Sequence, residues 1–132
     1  MLREMMSSKI HRAVVTRCDL EYVGSITIDA DLLAAVGLRP NEKVLVCDID
    51  NGSRFETYVI RGEAGSGEIG INGAAARLTA EGHRVIIIAF AQVAAEELDR
   101  HVGRVIVCDA HNGIEQRLEY TSTIREPAAA ER

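Results

Sequence analysis

Three Gly-Ser dipeptides occur in the chain, Gly24-Ser25, Gly52-Ser53 and Gly65-Ser66. A Gly-Ser pair is ordinarily a turn, and the second and third sit in turn-rich surroundings. Gly24-Ser25 differs, because Tyr22-Val23 precedes it and Ile26-Thr27-Ile28-Asp29 follows. A strand-like segment is expected on either side, and glycine inside such a pattern marks a bend or a close backbone approach. A serine hydroxyl there can attack the carbonyl carbon of the preceding residue and shift the acyl group from nitrogen to oxygen. Glycine leaves that carbonyl unhindered and tolerates a strained backbone. The ester can then undergo β-elimination, and hydrolysis of the resulting dehydroalanine leaves a pyruvoyl group. The tetrahedral intermediate needs a hydrogen-bond donor aimed at its oxyanion.

Three further clusters could take part. In Arg54-Phe-Glu-Thr-Tyr58 a period of two puts Arg54, Glu56 and Tyr58 on one strand face and Phe55, Thr57 and Val59 on the other. Arg54 can grip a carboxylate with its planar fork, and Tyr58 can act as a general acid. A solvated Arg beside a half-buried Tyr would look the same. Asn72-Gly-Ala-Ala-Ala76 reads as a helix start whose backbone N–H groups and small side chains admit an anion, or as a helix simply capped by Asn72. Lys9 and His11 share a strand face, as on any charged edge.

The elements that must position these groups are mostly strands. Asn51-Gly52-Ser53 separates two β-type runs, Val44 to Asp50 and Phe55 to Ile60, as in a hairpin. Short strands are expected over Glu68 to Ile71, Arg84 to Val93, Arg104 to Asp109 and Ile114 to Tyr120, the last pair joined at His111-Asn112-Gly113. Asp29 can cap a helix over Ala30 to Val36, stopped by Gly37 and Pro40. Asn72 to Leu78 and Ala94 to His101 are two more helical candidates. Many short strands with few short helices predict a mainly β protein, a compact barrel.

With 132 residues the chain suits one domain, expected over residues 1–120 with a frayed tail over 121–132. A net charge of −5 without a basic run argues against nucleic acid as partner. The longest apolar run, Val85 to Ala91, is too short for a membrane span, and no secretory pattern opens the sequence, so the expected location is cytoplasmic. Cys18, Cys47 and Cys108 are lone and widely spaced, as expected of reduced thiols rather than metal ligands or disulfides.

Taken together, Lys9-Ile-His-Arg-Ala13, Asp19-Leu-Glu-Tyr-Val-Gly-Ser-Ile-Thr-Ile-Asp29, Asn51-Gly-Ser-Arg-Phe-Glu-Thr-Tyr58 and Asn72-Gly-Ala-Ala-Ala-Arg77 resemble the pyruvoyl-dependent aspartate 1-decarboxylases of bacterial pantothenate synthesis. The resemblance runs from Met1 to about Asp109. It implies a double-psi β-barrel assembled as a homotetramer with active sites between subunits. It implies self-cleavage into residues 1–24 and 25–132, with the cofactor made from Ser25 and neither metal nor pyridoxal phosphate required. Gly24, Ser25 and Thr57 would serve processing, Thr57 by polarising the Gly24 carbonyl. Tyr58 would donate the catalytic proton. Lys9 and Arg54 would bind the carboxylates of L-aspartate, Gly73, Ala74 and Ala75 would contact substrate through their backbone, and Asn72 would orient cofactor or substrate. His11 and Tyr22 would line the site. The resemblance leaves open whether a maturation factor assists cleavage. Two other readings stay open: a non-enzymatic barrel with an intact Gly24–Ser25 bond, and a pyruvoyl enzyme for another amino acid such as glutamate.

Overall fold

Alternation between buried and outward residues is strict where the strands are strongest. Val44, Val46 and Asp48 are buried while Lys43, Leu45 and Cys47 face outward, and Arg54, Glu56 and Tyr58 are exposed while Phe55 and Thr57 are partly covered. In the computed structural model, which describes residues 1–125, such strands dominate. In chain order they are β1 (Leu2–Val14), β2 (Arg17–Asp19), β3 (Ser25–Asp29), β4 (Lys43–Asp48), β5 (Arg54–Gly62), β6 (Ile69–Asn72), β7 (Arg84–Ala94), β8 (Val102–Cys108) and β9 (Ile114–Thr121). One helix, α1 (Ala30–Val36), follows β3. The two later helical candidates form short 3-10 segments, Gly73–Arg77 and Ala95–Arg100, rather than α-helices.

The strands form one sheet in the order β2-β6-β3-β5-β4-β7-β1-β8-β9. Three pairs are parallel (β3 with β5, β1 with β8, β2 with β6) and the rest antiparallel. The mainly β architecture with few short helices is that of a double-psi β-barrel. Its interior is filled by Ile10, Ile26, Ile28, Val46, Ile71 and Ile87, all fully buried. Removing such side chains from water is the main favourable term in the fold.

Helix α1 starts and stops where its caps dictate. The Asp29 carboxylate accepts from the Asp31 amide at 2.8 Å, and Gly37 closes the helix at φ +76°. The same carboxylate accepts from the Gly65 and Gly67 amides, so one buried side chain fixes both the helix start and the β5–β6 turn. The Asn-Gly hairpin also forms, with Cys47 paired to Arg54 across a loop of five residues. β9 ends at Thr121, one residue into the segment expected as a tail; residues 126–132 lie outside the described residues. Among the described residues no helix is long and apolar enough to cross a membrane.

The hairpin turn rests on Asp48, whose Oδ2 meets His83 Nδ1 at 2.8 Å and the Thr79 hydroxyl at 2.7 Å. That bond to Asp48 raises the His83 pKa above its ordinary 6.5. Burial alone would raise the Asp48 carboxyl, but the bonds from His83, Thr79, Asn51 and Asp50 outweigh it and hold it below 3.8. His83 therefore stabilises fully below its ordinary value, and its contribution fades as pH rises through the raised one. Asp48 contributes above its ordinary value and loses this as pH falls through the lowered one. His83→Ala should consequently lower Tm more at about pH 5.5 than at about pH 8.5. Thermal unfolding of both proteins at the two pH values checks this, and an equal gap at both would refute it.

Candidate active site

Ser25 opens β3 and is fully buried, whereas Gly24 before it is exposed. The expected strand running into this pair is absent. β2 stops at Asp19, whose carboxylate accepts from the Glu21 amide at 3.0 Å and turns the chain, so Leu20 to Gly24 form a loop. Tyr22 and Val23 are 49 % and 73 % exposed, which their β-type residue types did not suggest.

β3 lies between β5 and β6, and these two neighbours supply the surroundings of Ser25. Ser25 pairs with Asn72 at the end of β6. Asn72 is fully buried, and its Nδ2 donates to the Ser25 hydroxyl at 2.9 Å and to the Thr27 hydroxyl at 3.2 Å. The side chain is thus turned toward Ser25 and makes no cap bond to the 3-10 segment that follows. Its Oδ1 is buried without a partner, a costly arrangement that leaves one acceptor available beside Ser25. The Ser25 hydroxyl itself points to the Val23 carbonyl at 3.3 Å.

On the other side, β3 and β5 run parallel with Ile26 level with Val59. Carrying that register back one residue sets Ser25, the first residue of β3, beside Tyr58. Side chains at matched positions share a face, so Tyr58, 37 % exposed, stands on the face of Ser25.

Gly73 supplies the tightest contact. A β-carbon there would lie 2.8 Å from the Gly24 α-carbon, 3.1 Å from its nitrogen and 3.4 Å from the Tyr22 carbonyl oxygen, and φ is +70°. The structure therefore brings together Tyr22, Gly24, Ser25, Asn72 and Gly73 by contact, and Tyr58 by register, while Thr57 precedes Tyr58 on β5. Ala74 and Ala75 continue from Gly73, exposed and half-buried.

Lys9 and His11 are not in this group. Lys9 pairs with Ile88, Ile88 with Leu45 and Leu45 with Glu56, so β1 stands three strands from β5, about 14 Å at ordinary strand spacing. His11 is half-buried, with Nδ1 enclosed and unpartnered. Burial lowers its pKa, and the Lys9 and Arg12 charges lower it further, favouring the neutral ring. Arg54 is exposed, and among the described residues it forms no ion pair; the ion pair on its strand face joins Lys43 to Glu56 at 3.3 Å.

The sequence model of the aspartate decarboxylase family matches residues 1–115. The chain belongs to this family. Among curated relatives, the aspartate 1-decarboxylase of Geobacillus sp. (strain WCH70) is 50% identical over 97% of this chain and 97% of its own length. That of Bacillus subtilis (strain 168) is 54% identical over 89% of this chain and 93% of its own. That of Staphylococcus aureus (strain MSSA476) is 55% identical over 86% and 90%.

Two groups near this aspartate decarboxylase family site escaped the sequence reading. Thr27 shares the Asn72 amide with Ser25, and Asp48 underlies the turn into Arg54. Thr27 gave no signal beyond its strand. Asp48 could have been found as an aspartate placed to cap an Asn-Gly turn. All three cysteines are free, and burial pushes the Cys108 thiol up to about 11, which keeps it protonated and unreactive.

The steric reading of Gly73 separates from simple backbone strain by comparison with Gly82, which has φ +89° and nothing within 4 Å of an added β-carbon. Gly82→Ala should cost only about 1 kcal/mol of left-handed strain. Gly73→Ala carries that strain plus the clash with Gly24 and should cost about 2–4 kcal/mol. Urea unfolding midpoints of the two variants test this, and equal costs would remove the clash.

Proposed function

We propose that this chain is an aspartate 1-decarboxylase that cleaves its own Gly24–Ser25 bond and converts L-aspartate to β-alanine and CO₂, the β-alanine serving pantothenate and coenzyme A synthesis in the cytoplasm. The observation that carries the reading is the buried Ser25 hydroxyl, held at 2.9 Å by Asn72 directly after an exposed, side-chain-free Gly24. Family membership over residues 1–115 supports the reaction.

In processing, the Ser25 hydroxyl adds to the Gly24 carbonyl carbon and the bond to the Ser25 nitrogen breaks, leaving an ester. Thr57, on the neighbouring strand β5, donates to the Gly24 oxygen as charge develops on it. Loss of the α-proton and departure of the Gly24 carboxylate free residues 1–24, and hydrolysis releases ammonia. The surroundings fit the group so formed: Asn72 keeps a donor on its position, and Gly73 leaves no bulk over it. When in place, the pyruvoyl ketone supplies an electron sink that the unmodified side chains lack.

The remaining residues bind and move protons. Arg54 holds the side-chain carboxylate of aspartate, leaving the α-carboxylate free to depart. Tyr58, on the Ser25 face, returns a proton to the α-carbon. The backbone of Gly73, Ala74 and Ala75 lines the substrate, Tyr22 borders it, and His11, on the same strand as Lys9, reaches it from a second copy of the chain.

Lys9 joins the site from a second copy of the chain. One copy holds Lys9 three strands from β5, and the outward face between them exposes Phe90 at 44 % and Tyr58 at 37 % beside half-buried Leu45, Ile86 and Ile88. Such a face is suited to cover by another protomer, in a homotetramer with sites between subunits. Glutamate lacks no charge that aspartate has, so length alone discriminates between them.

Intact mass under denaturing conditions should show residues 1–24 and 25–132, the larger lighter by one ammonia than a serine-started chain. A single uncleaved species after prolonged incubation would mean either a stalled precursor awaiting a maturation factor or a barrel that is no decarboxylase. Tyr58→Phe should cleave normally yet lose turnover by at least ~100-fold. Full activity, or failure to cleave, would take Tyr58 out of the donor role.

A further inference from the structure

Asp48 ends β4 beneath the turn into Arg54 and is 2 % exposed. Its Oδ1 accepts from the Asp50 and Asn51 amides at 2.7 and 3.2 Å. Its Oδ2 accepts from the Thr79 hydroxyl and from His83 Nδ1 at 2.7 and 2.8 Å. An Asn-Gly hairpin needs no buried carboxylate, since its backbone bonds suffice. Burying one is costly unless it is fully paired, so this carboxylate is placed for something beyond the turn. Asp48, Asp50 and His83 gather ligand-type atoms within 4.8 Å of one another. The Asp48 oxygens are taken by donors of the chain itself, which makes the cluster a fastening.

The fastening extends in two directions. Asn51 Nδ2 donates to the Leu78 carbonyl at 2.9 Å, just past the Gly73–Arg77 segment. The Ile49 amide donates to the Arg84 carbonyl at 2.8 Å, and the Arg84 amide to Asp50 Oδ2 at 2.9 Å. The Arg84 guanidinium then reaches the Arg12 carbonyl at 2.7 Å. Arg12 sits at φ +64° in the register shift of β1 that follows Ile10, next to His11. A non-glycine residue in that region persists only where its surroundings hold it. One connected set of bonds thus joins the turn before Arg54, the segment after Gly73–Arg77 and the bulge beside Lys9 and His11.

We propose that Asp48 is a positioning residue for substrate binding: it clamps the β4–β5 turn to residues 78–84 and so fixes where Arg54 stands at the start of β5. The inference rests on the reading of Arg54 as a carboxylate grip. Ser25 lies outside the clamp, since its position depends on β3, β5, β6 and Asn72.

Full-length Asp48→Ala, Asp48→Asn and Arg54→Ala are compared for extent of cleavage by intact mass and for steady-state kinetics with aspartate. Asp48→Ala should cleave like the parent, with KM raised about 10-fold and kcat within about 2-fold. Asp48→Asn should stay within about 2-fold of the parent in KM, because an amide keeps the turn acceptor and can donate to Thr79 and to neutral His83. An unchanged KM in Asp48→Ala, or a fall in kcat and in cleavage without a change in KM, overturns the proposal. If Asp48→Ala does not fold, Thr79→Val decides: a raised KM supports the clamp and an unchanged one refutes it. An unchanged KM in Arg54→Ala would instead sink the carboxylate grip itself.

Discussion

The backbone at Gly73 meets that of Gly24 more closely than a side chain at position 73 would allow. The 2.8 Å between a hypothetical Gly73 β-carbon and the Gly24 α-carbon leaves no slack. Gly73 also occupies a left-handed conformation that costs other residues about 1 kcal/mol or more. This contact fixes the exposed loop Leu20–Gly24 against the end of β6, where Asn72 already holds Ser25. Ser25 is therefore anchored from the strand side and Gly24 from the loop side. Pre-organisation of that kind converts a slow chance encounter of hydroxyl and carbonyl into a held geometry.

A barrel suits this task because its strands are mutually braced. β3 is paired on both edges, parallel to β5 and antiparallel to β6. Any shift of β3 as a whole would have to break two ladders at once. The groups assigned to substrate carboxylates stand elsewhere, on the outward faces of β5 and β1. On the proposed reading, Arg54 and a second copy's Lys9 act away from the strand pairing that holds Ser25, so substitutions at them can affect substrate binding without disturbing that pairing.

Strand alternation made much of this legible in the sequence. Lys43 to Asp48 and Arg54 to Val59 alternate as their residue types dictate, and Asp29 and Gly37 cap α1 by local bonds alone. Local rules failed where a distant partner or a nearby cap decided. Tyr22 and Val23 have strand-forming side chains, yet the Asp19 carboxylate turns the chain first. β1 runs for thirteen residues, but its bulges after Met6 and Ile10 break the period that would have announced it. Asn72 looked like a helix cap because its partners Ser25 and Thr27 lie 47 and 45 residues away. Gly73 looked like part of a small-residue patch because its contact with Gly24 exists only once β3 and β6 have paired.

The position of the Gly24–Ser25 bond between elements explains how the fold could survive its loss. The bond falls where a loop ends and β3 begins, so its scission would interrupt no ladder. Residues 1–24 would keep β1, held by β7 on one edge and β8 on the other, and β2, held by β6. Residue 25 would keep its pairing to Asn72 and the Asn72 amide on its side chain position. Loops tolerate nicking because few interactions depend on their continuity. A new chain end placed inside a strand would fray, whereas one placed at the first residue of a doubly paired strand stays fixed. That is the requirement of a cofactor made from the chain itself: the reactive group must be freed covalently on one side while the ladder on the other keeps it in register.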